Sequence, residues 1–174
     1  MYLRLKLVSC SVTLNKKNIK VAIVMGSNSD YSVMRECEIA LKKLSIKYDT
    51  QIISAHRTPF RMFEFGNNAA KKYSVIIAGA GGSAHLPGMI ASLTIVPVIG
   101  VPIETKKLKG LDSLLSINQM PKGIPVATVA INGATNAALL AASIISNLDK
   151  KAKVNLERFR RSQTKSIKKR PKQK

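Results

Sequence analysis

Three observations predict an α/β protein: a single-domain, three-layer α/β/α sandwich built on a doubly wound parallel sheet of about five strands. Short apolar runs alternate with helical stretches, and short connections join them. The central runs are almost wholly apolar, as strands covered on both faces must be. A length of 174 residues with 45% apolar content suits one domain with a substantial core.

Taken in order, Lys20–Met25 (KVAIVM) reads as the first strand, bounded by Lys and Gly. Asp30 stands at the head of the next segment as a helix N-cap, and Met34, Cys37, Leu41 and Leu44 lay one apolar stripe along that helix. Lys47–Ile53 is a second strand, less apolar and so expected nearer an edge. Thr58-Pro59 opens a second helix, with Pro at the first helical position where its missing N–H costs nothing. This helix, about Phe60–Lys72, is expected to bury Phe63 and Ala70. Ser74–Ala78 (SVIIA) is a central third strand, Leu86–Leu93 a short helix, and Val96–Gly100 a fourth strand. Pro102–Gln119 shows little regular pattern beyond a turn at Gly110 and a short helix at Asp112–Ile117. Pro125–Ala130 is the fifth strand. Asn136–Leu148 (NAALLAASIISNL) is apolar almost all round, which marks a helix buried on several sides and, in a subunit of this size, an oligomer interface. A charged helix over Asp149–Arg161 closes the domain. The expected organisation is an N-terminal extension (1–18), the α/β domain (19–161) and a basic, disordered tail (162–174).

Four stretches follow directly on strands: Gly26-Ser27-Asn28-Ser29-Asp30, Ser54-Ala55-His56-Arg57-Thr58-Pro59, Gly79-Ala80-Gly81-Gly82-Ser83-Ala84-His85 and Gly100-Val101-Pro102. Parallel strands end side by side, so these stretches should converge on one crevice, and they hold both histidines of the chain. In the first, a turning Gly, the hydroxyl of Ser27 and a helix N-terminus suit an anion or a sugar. The Asp30 carboxylate favours ribose hydroxyls over phosphate, although plain turn and cap roles also account for these residues. In the second, Arg57 offers a planar fork of donors for phosphate beside Ser54. His56 carries the imidazole expected to give and take a proton in turn; a packing or capping histidine is the alternative. The third stretch, with Gly81, Gly82, Ser83 and His85, lets the backbone approach a ligand closely and present N–H groups to it. It is not a G-x-G-x-x-G fingerprint after the first strand, so a small planar group fits better than a dinucleotide. The two histidines lie in separate loops without Cys or carboxylate at ligand spacing, so no metal is expected.

The net charge of +20 divides unevenly. Residues 150–174 hold twelve Lys/Arg against Glu157 alone, whereas the other 149 residues hold seventeen against eight. With Lys outnumbering Arg 21 to 8, a solubilising end is favoured over a nucleic-acid-binding one. Cys10 and Cys37 make no C-x-x-C pair and no disulfide framework, which points to a reducing cytoplasm. Arg4 and Lys6 interrupt the opening apolar residues before a signal-type core forms, and no apolar stretch is long enough to span a bilayer.

Long segments of the chain, VAIVMGSNSD, ISAHRTP, IIAGAGGSAHLPGMIA, GVP, GLDSLLSINQMPKGIPVATVAI and NAALLAA, resemble the class I N5-carboxyaminoimidazole ribonucleotide mutases of de novo purine synthesis. The likeness runs from about Lys20 to Leu148. It implies transfer of a carboxylate from the exocyclic nitrogen of an aminoimidazole ribonucleotide to ring C4, with no metal, biotin, ATP or other cofactor. It further implies substrate contacts from Ser27, Asp30 and Arg57, proton transfer by His56, and CO2 held by the Gly79–His85 loop. Also implied are a homo-octamer and a functional link to the ATP-dependent carboxyaminoimidazole ribonucleotide synthase. The chain departs from the family's habit at Tyr31 (usually Trp), Ser83 (usually Ala) and Asn118 (usually apolar). Its Asn132–Asn136 segment is about two residues short of the family's usual length.

Rival readings remain. A class II-type carboxylase acts on the same ribonucleotide with free CO2. A flavodoxin-like carrier shares the flavodoxin-like architecture, but only 5% of residues are aromatic and none lies in the Gly-rich loop. A nucleic-acid-binding module would rest on the basic tail.

Overall fold

The computed structural model describes residues 19–170; the N-terminal extension, Cys10 and residues 171–174 lie outside the described part. Five parallel strands, β1 (Lys20–Met25), β2 (Lys47–Ile52), β3 (Val75–Gly81), β4 (Val98–Ile103) and β5 (Ala127–Thr128), form one sheet in the order β2-β1-β3-β4-β5. The chain steps outward from β1 to β2, then returns past β1 to β3. The winding therefore reverses between β1 and β3, and the loops leaving these two strands part to open a crevice. This is the flavodoxin-like order, with β2 at an edge and β3 at the centre as expected.

Strand alternation feeds two cores. Val21, Ile23 and Met25 point to the face covered by α1 (Tyr31–Lys43), α5 (Ala134–Ser146) and α6 (Lys150–Ser166). Ala22 and Val24 point to the face covered by α2 (Pro59–Lys72), α3 (Leu86–Ala91) and α4 (Leu111–Asn118). Both faces are dry, which is why β1 and β3 read as unbroken apolar runs rather than alternating ones. In α1, Met34, Cys37 and Leu41 are fully buried. Cys37 donates its thiol to the carbonyl of Ala134 at 3.1 Å, and burial pushes that thiol up to about 12.

Several elements depart from the sequence expectation. The β3–β4 ladder continues through Ala80↔Pro102 and Gly81↔Ile103, so β3 ends at Gly81 and β4 shifts to Val98–Ile103. Gly100-Val101-Pro102 is consequently buried strand, not loop. Cross-strand pairing overrides the local turn preference of glycine and proline there. β5 shrinks to Ala127–Thr128, because it pairs on one side only and follows Pro125, which has no N–H to give. Helix α2 buries Met62, Gly66 and Ala69, leaving Phe63 half exposed and Ala70 partly covered. The reason is contact distance: a Cβ at Gly66 would fall 2.6 Å from Cβ of Leu93, so only the glycine face lets α2 lie this close to Leu93, just past the end of α3. Helix α5 presents Ala134, Ala137, Ala138, Ala141, Ala142 and Ile145 inward, while Leu140 stays exposed. Helix α6 runs to Ser166, five residues beyond the expected boundary at 161, so the start of the basic tail is helical. A helix already anchored by Ala152 and Leu156 extends at little cost, one hydrogen bond for each residue ordered.

Candidate active site

The carboxyl ends of β1 to β4 open onto a cleft of about 570 Å³. Ser27, Asp30, Ser54, His56, Arg57, Gly81, Gly82, Ser83 and His85 all line it. Every predicted site residue is therefore in one place, delivered by three loops.

The first loop is shaped by its own side chains. Ser27, in extended conformation, caps a single 3-10 turn, Asn28–Asp30. Its hydroxyl accepts the Ser29 N–H at 3.1 Å and touches the Ser29 hydroxyl. Asp30 makes no side-chain cap on α1, contrary to expectation; its Oδ2 instead accepts the Ser27 N–H at 3.1 Å. This reciprocal box arises because the 3-10 turn places Asp30 three residues past the cap, within reach of the cap's own N–H. Burial raises the Asp30 carboxyl above its usual value, and hydrogen bonds from Ser27, Ser29 and Gly26 with the charge of Arg57 partly offset this.

The second loop is clasped by Thr58. Its hydroxyl donates to the Ser54 carbonyl at 3.0 Å and accepts the Ser54 N–H at 2.9 Å, fixing the turn that presents His56 and Arg57. Arg57 extends across to the first loop, donating from Nη2 to the Gly26 carbonyl at 3.1 Å and from Nε to Ser54 Oγ at 3.2 Å. Two of its donors thus hold the scaffold, and the residue is exposed on the cleft. Such pre-ordering reduces the entropy lost when an anion binds.

His56 and His85 meet at 2.9 Å, Nε2 to Nδ1, with the rings nearly perpendicular at 83°. One ring donates and the other accepts, so a single proton sets the tautomers of both.

The third loop differs from expectation in where its N–H groups point. Gly82, at φ +67°, gives its N–H to Ser113 Oγ at 2.9 Å rather than to the cleft. Ala84 and His85 donate to the carbonyls of Gly82 and Ser83, both at 2.8 Å. Left-handed Gly82 folds the loop back on itself, so these donors serve the turn and not an anion.

From the fourth strand, Ile103, Glu104 and Thr105 reach the cleft, not Gly100-Val101-Pro102. Glu104 Oε2 accepts from Asn132 Nδ2 at 3.2 Å, and the Glu104 N–H donates to Asn132 Oδ1 at 2.9 Å. Asn132, two residues before α5 begins, thereby props the cleft rim. Thr105 donates to Asp112 at 2.9 Å. The sequence reading missed Glu104, Thr105 and Ser113; running the fourth strand on to Ile103 would have found the first two. Among the described residues no group of three or more His, Cys, Asp or Glu is placed to hold a metal ion, and no helix is long and apolar enough to cross a membrane.

Comparison with known proteins identifies the family. The AIR carboxylase family model matches residues 20–166. An N5-carboxyaminoimidazole ribonucleotide mutase from Haemophilus influenzae is 53% identical over 154 residues, 87% of this chain and 94% of that one. The enzyme of the same name from Thermotoga maritima is 56% identical over 147 residues, covering 82% and 86%. A crystal structure of PurE from Treponema denticola superposes with a TM-score of 0.77 at 30% identity, covering 85% of this chain and 93% of that one. With nearly all of its α/β domain matched, this chain belongs to the AIR carboxylase family.

Proposed function

We propose that the chain is an isomerase of de novo purine synthesis, converting N5-carboxyaminoimidazole ribonucleotide to 4-carboxy-5-aminoimidazole ribonucleotide. The observation that carries this reading is the pairing of the chain's two histidines in a cleft shared with Arg57, Asp30 and the Gly-rich loop. Arg57 takes the phosphate with the part of its fork not engaged by Gly26 and Ser54. Ser27 and Asp30 take the ribose. The carbamate C–N bond breaks, and His56 as imidazolium gives its proton to the departing nitrogen. The CO2 released is held near the ring, where C4 attacks it. His56, now neutral, removes the C4 proton, so one proton leaves the ring carbon for each gained by nitrogen. A single shuttling group suits a net isomerisation.

The decisive experiment is turnover of the carboxyamino ribonucleotide with and without added bicarbonate. A mutase turns over without it. A requirement for CO2, with aminoimidazole ribonucleotide as substrate, would assign the class II-type carboxylase instead. Further parts of the proposal are a homo-octamer, a cytoplasmic location, and dependence on the ATP-dependent synthase that supplies the carbamate. Leu140 on α5, exposed in the subunit, supports assembly, and light scattering of the purified protein gives the subunit number.

A further inference from the structure

Beneath the cleft, one side chain ties two of its walls together. Ser113, the third residue of α4, is fully buried. Its Oγ accepts the Gly82 N–H at 2.9 Å and donates to the Ile103 carbonyl at 2.7 Å. Gly82 is the first residue beyond β3 and Ile103 the last of β4. A single hydroxyl thus completes the hydrogen bonding of two backbone groups at neighbouring strand ends. One turn further along α4, Ser116 Oγ donates to the Asp112 carbonyl at 2.7 Å and lies 3.3 Å from the Gly82 carbonyl. Both peptides flanking Gly82 are therefore held from α4, and Ser83, exposed on the cleft side, follows directly on these anchors.

We infer that Ser113 is a positioning residue that keeps the Gly-rich loop closed over CO2 between its release and its capture by C4. The inference rests on the reactive cycle proposed above. CO2 is uncharged, so no ion pair can hold it; walls and timing must. The loop's own glycines leave it free to move, and the strand ladder stops at Gly81↔Ile103, one residue before the anchored peptide. Without the hydroxyl, the Gly82 N–H and the Ile103 carbonyl lose their shared partner, and the loop gains freedom where it matters. The chemical consequence is specific. Carbamate cleavage still occurs, but CO2 escapes before the C4–C bond forms, leaving aminoimidazole ribonucleotide and free CO2.

The test uses full-length protein and substrate carrying 13C in the carboxylate, turned over in unlabelled bicarbonate, with label in the 4-carboxy product read by mass spectrometry. Spontaneous carbamate loss is subtracted from an enzyme-free control. Wild type is expected to retain label. Ser113→Ala should raise the ratio of CO2 lost to carboxylate transferred by about tenfold, with nucleotide binding preserved, and Ser113→Thr, which keeps the hydroxyl, should restore transfer. A Ser113→Ala enzyme that retains label as wild type does, whether its rate is normal or uniformly reduced, overturns the inference. Should Ser113→Ala fail to fold, Ser113→Cys, a weaker donor of similar size, carries the same test, and unchanged label retention in it is equally fatal. Wild-type protein that does not isomerise the substrate overturns the proposed function itself, which is a separate outcome.

Discussion

Nε2 of His56 and Nδ1 of His85 lie 2.9 Å apart although the two residues are 29 positions apart in the chain. Their loops leave β2 and β3, which flank β1 in the sheet, so the contact bridges the crevice where the winding reverses. In this geometry two imidazolium rings would set N–H against N–H, so the pair accommodates one donor at the contact and no more.

Replacing His56 by Asn should remove isomerisation by about 10²- to 10⁴-fold, the range for loss of a general acid–base group. Nucleotide affinity, measured by calorimetry, should persist, because Arg57, Asp30 and Ser27 remain. Turnover close to wild type would dismiss the proton-shuttle role.

Arg57→Ala should weaken ribonucleotide binding by about 1.5–3 kcal/mol, the value of a charge-assisted hydrogen-bond contact. It should also loosen the first loop, since the Gly26 carbonyl loses its donor. Arg57→Lys should recover little of this, because an ammonium cannot reach Gly26, Ser54 and a phosphate at once. An unchanged Kd in Arg57→Ala would refute the assignment.

Asp30 supplies a pH prediction. Its folded-state carboxyl is raised above 3.8, chiefly by burial, so its ionised form is disfavoured in the folded chain. The sign follows from proton counts: between the unfolded and the folded pKa the native state binds more protons, so this group's contribution to stability falls as pH rises through that window. Above the folded pKa the cost is fully present. Asp30→Asn keeps an acceptor for the Ser27 N–H and removes the buried charge. It should therefore flatten that part of the urea-unfolding profile against pH and be no less stable at neutral pH, while KM for the ribonucleotide rises. Loss of neutral-pH stability in Asp30→Asn would contradict this.

Gly100 tests the buried strand. A Cβ there would fall 2.4 Å from Cγ2 of Ile117 and 3.0 Å from Cγ1 of Val126, both on stiff β-branched side chains. Gly100→Ala should cost about 1–3 kcal/mol by overpacking, read as a lower urea midpoint with unchanged slope. Unaltered stability would mean that α4 shifts freely, which also bears on the anchoring of Gly82 by Ser113.

Periodicity and strand-end logic were enough to read the sandwich, the edge position of β2, the central position of β3 and the convergence of nine candidate residues in one cleft. These are local properties: an apolar run buried on both faces has few alternatives, and a polar stretch after it must lie at the sheet's carboxyl edge. Other features depend on partners far along the chain. The end of β4 was set by pairing with β3, which turned Gly100-Val101-Pro102 into buried strand and brought Glu104 and Thr105 to the rim. Which face α2 buries was set by Leu93, a contact distance invisible to a helical wheel that Phe63 and Ala70 satisfied equally well. The direction of the Gly82 N–H was decided by Ser113, 31 residues away.

The sequence by itself determined which polar side chains stand at which strand ends, because residue type and apolar period are carried locally. The tertiary structure alone decided how they are coupled. It joined His56 to His85, spread Arg57 across two loops and turned the Gly82 N–H toward Ser113, because hydrogen-bond partners are chosen by proximity in space, and proximity is settled only when the sheet is assembled.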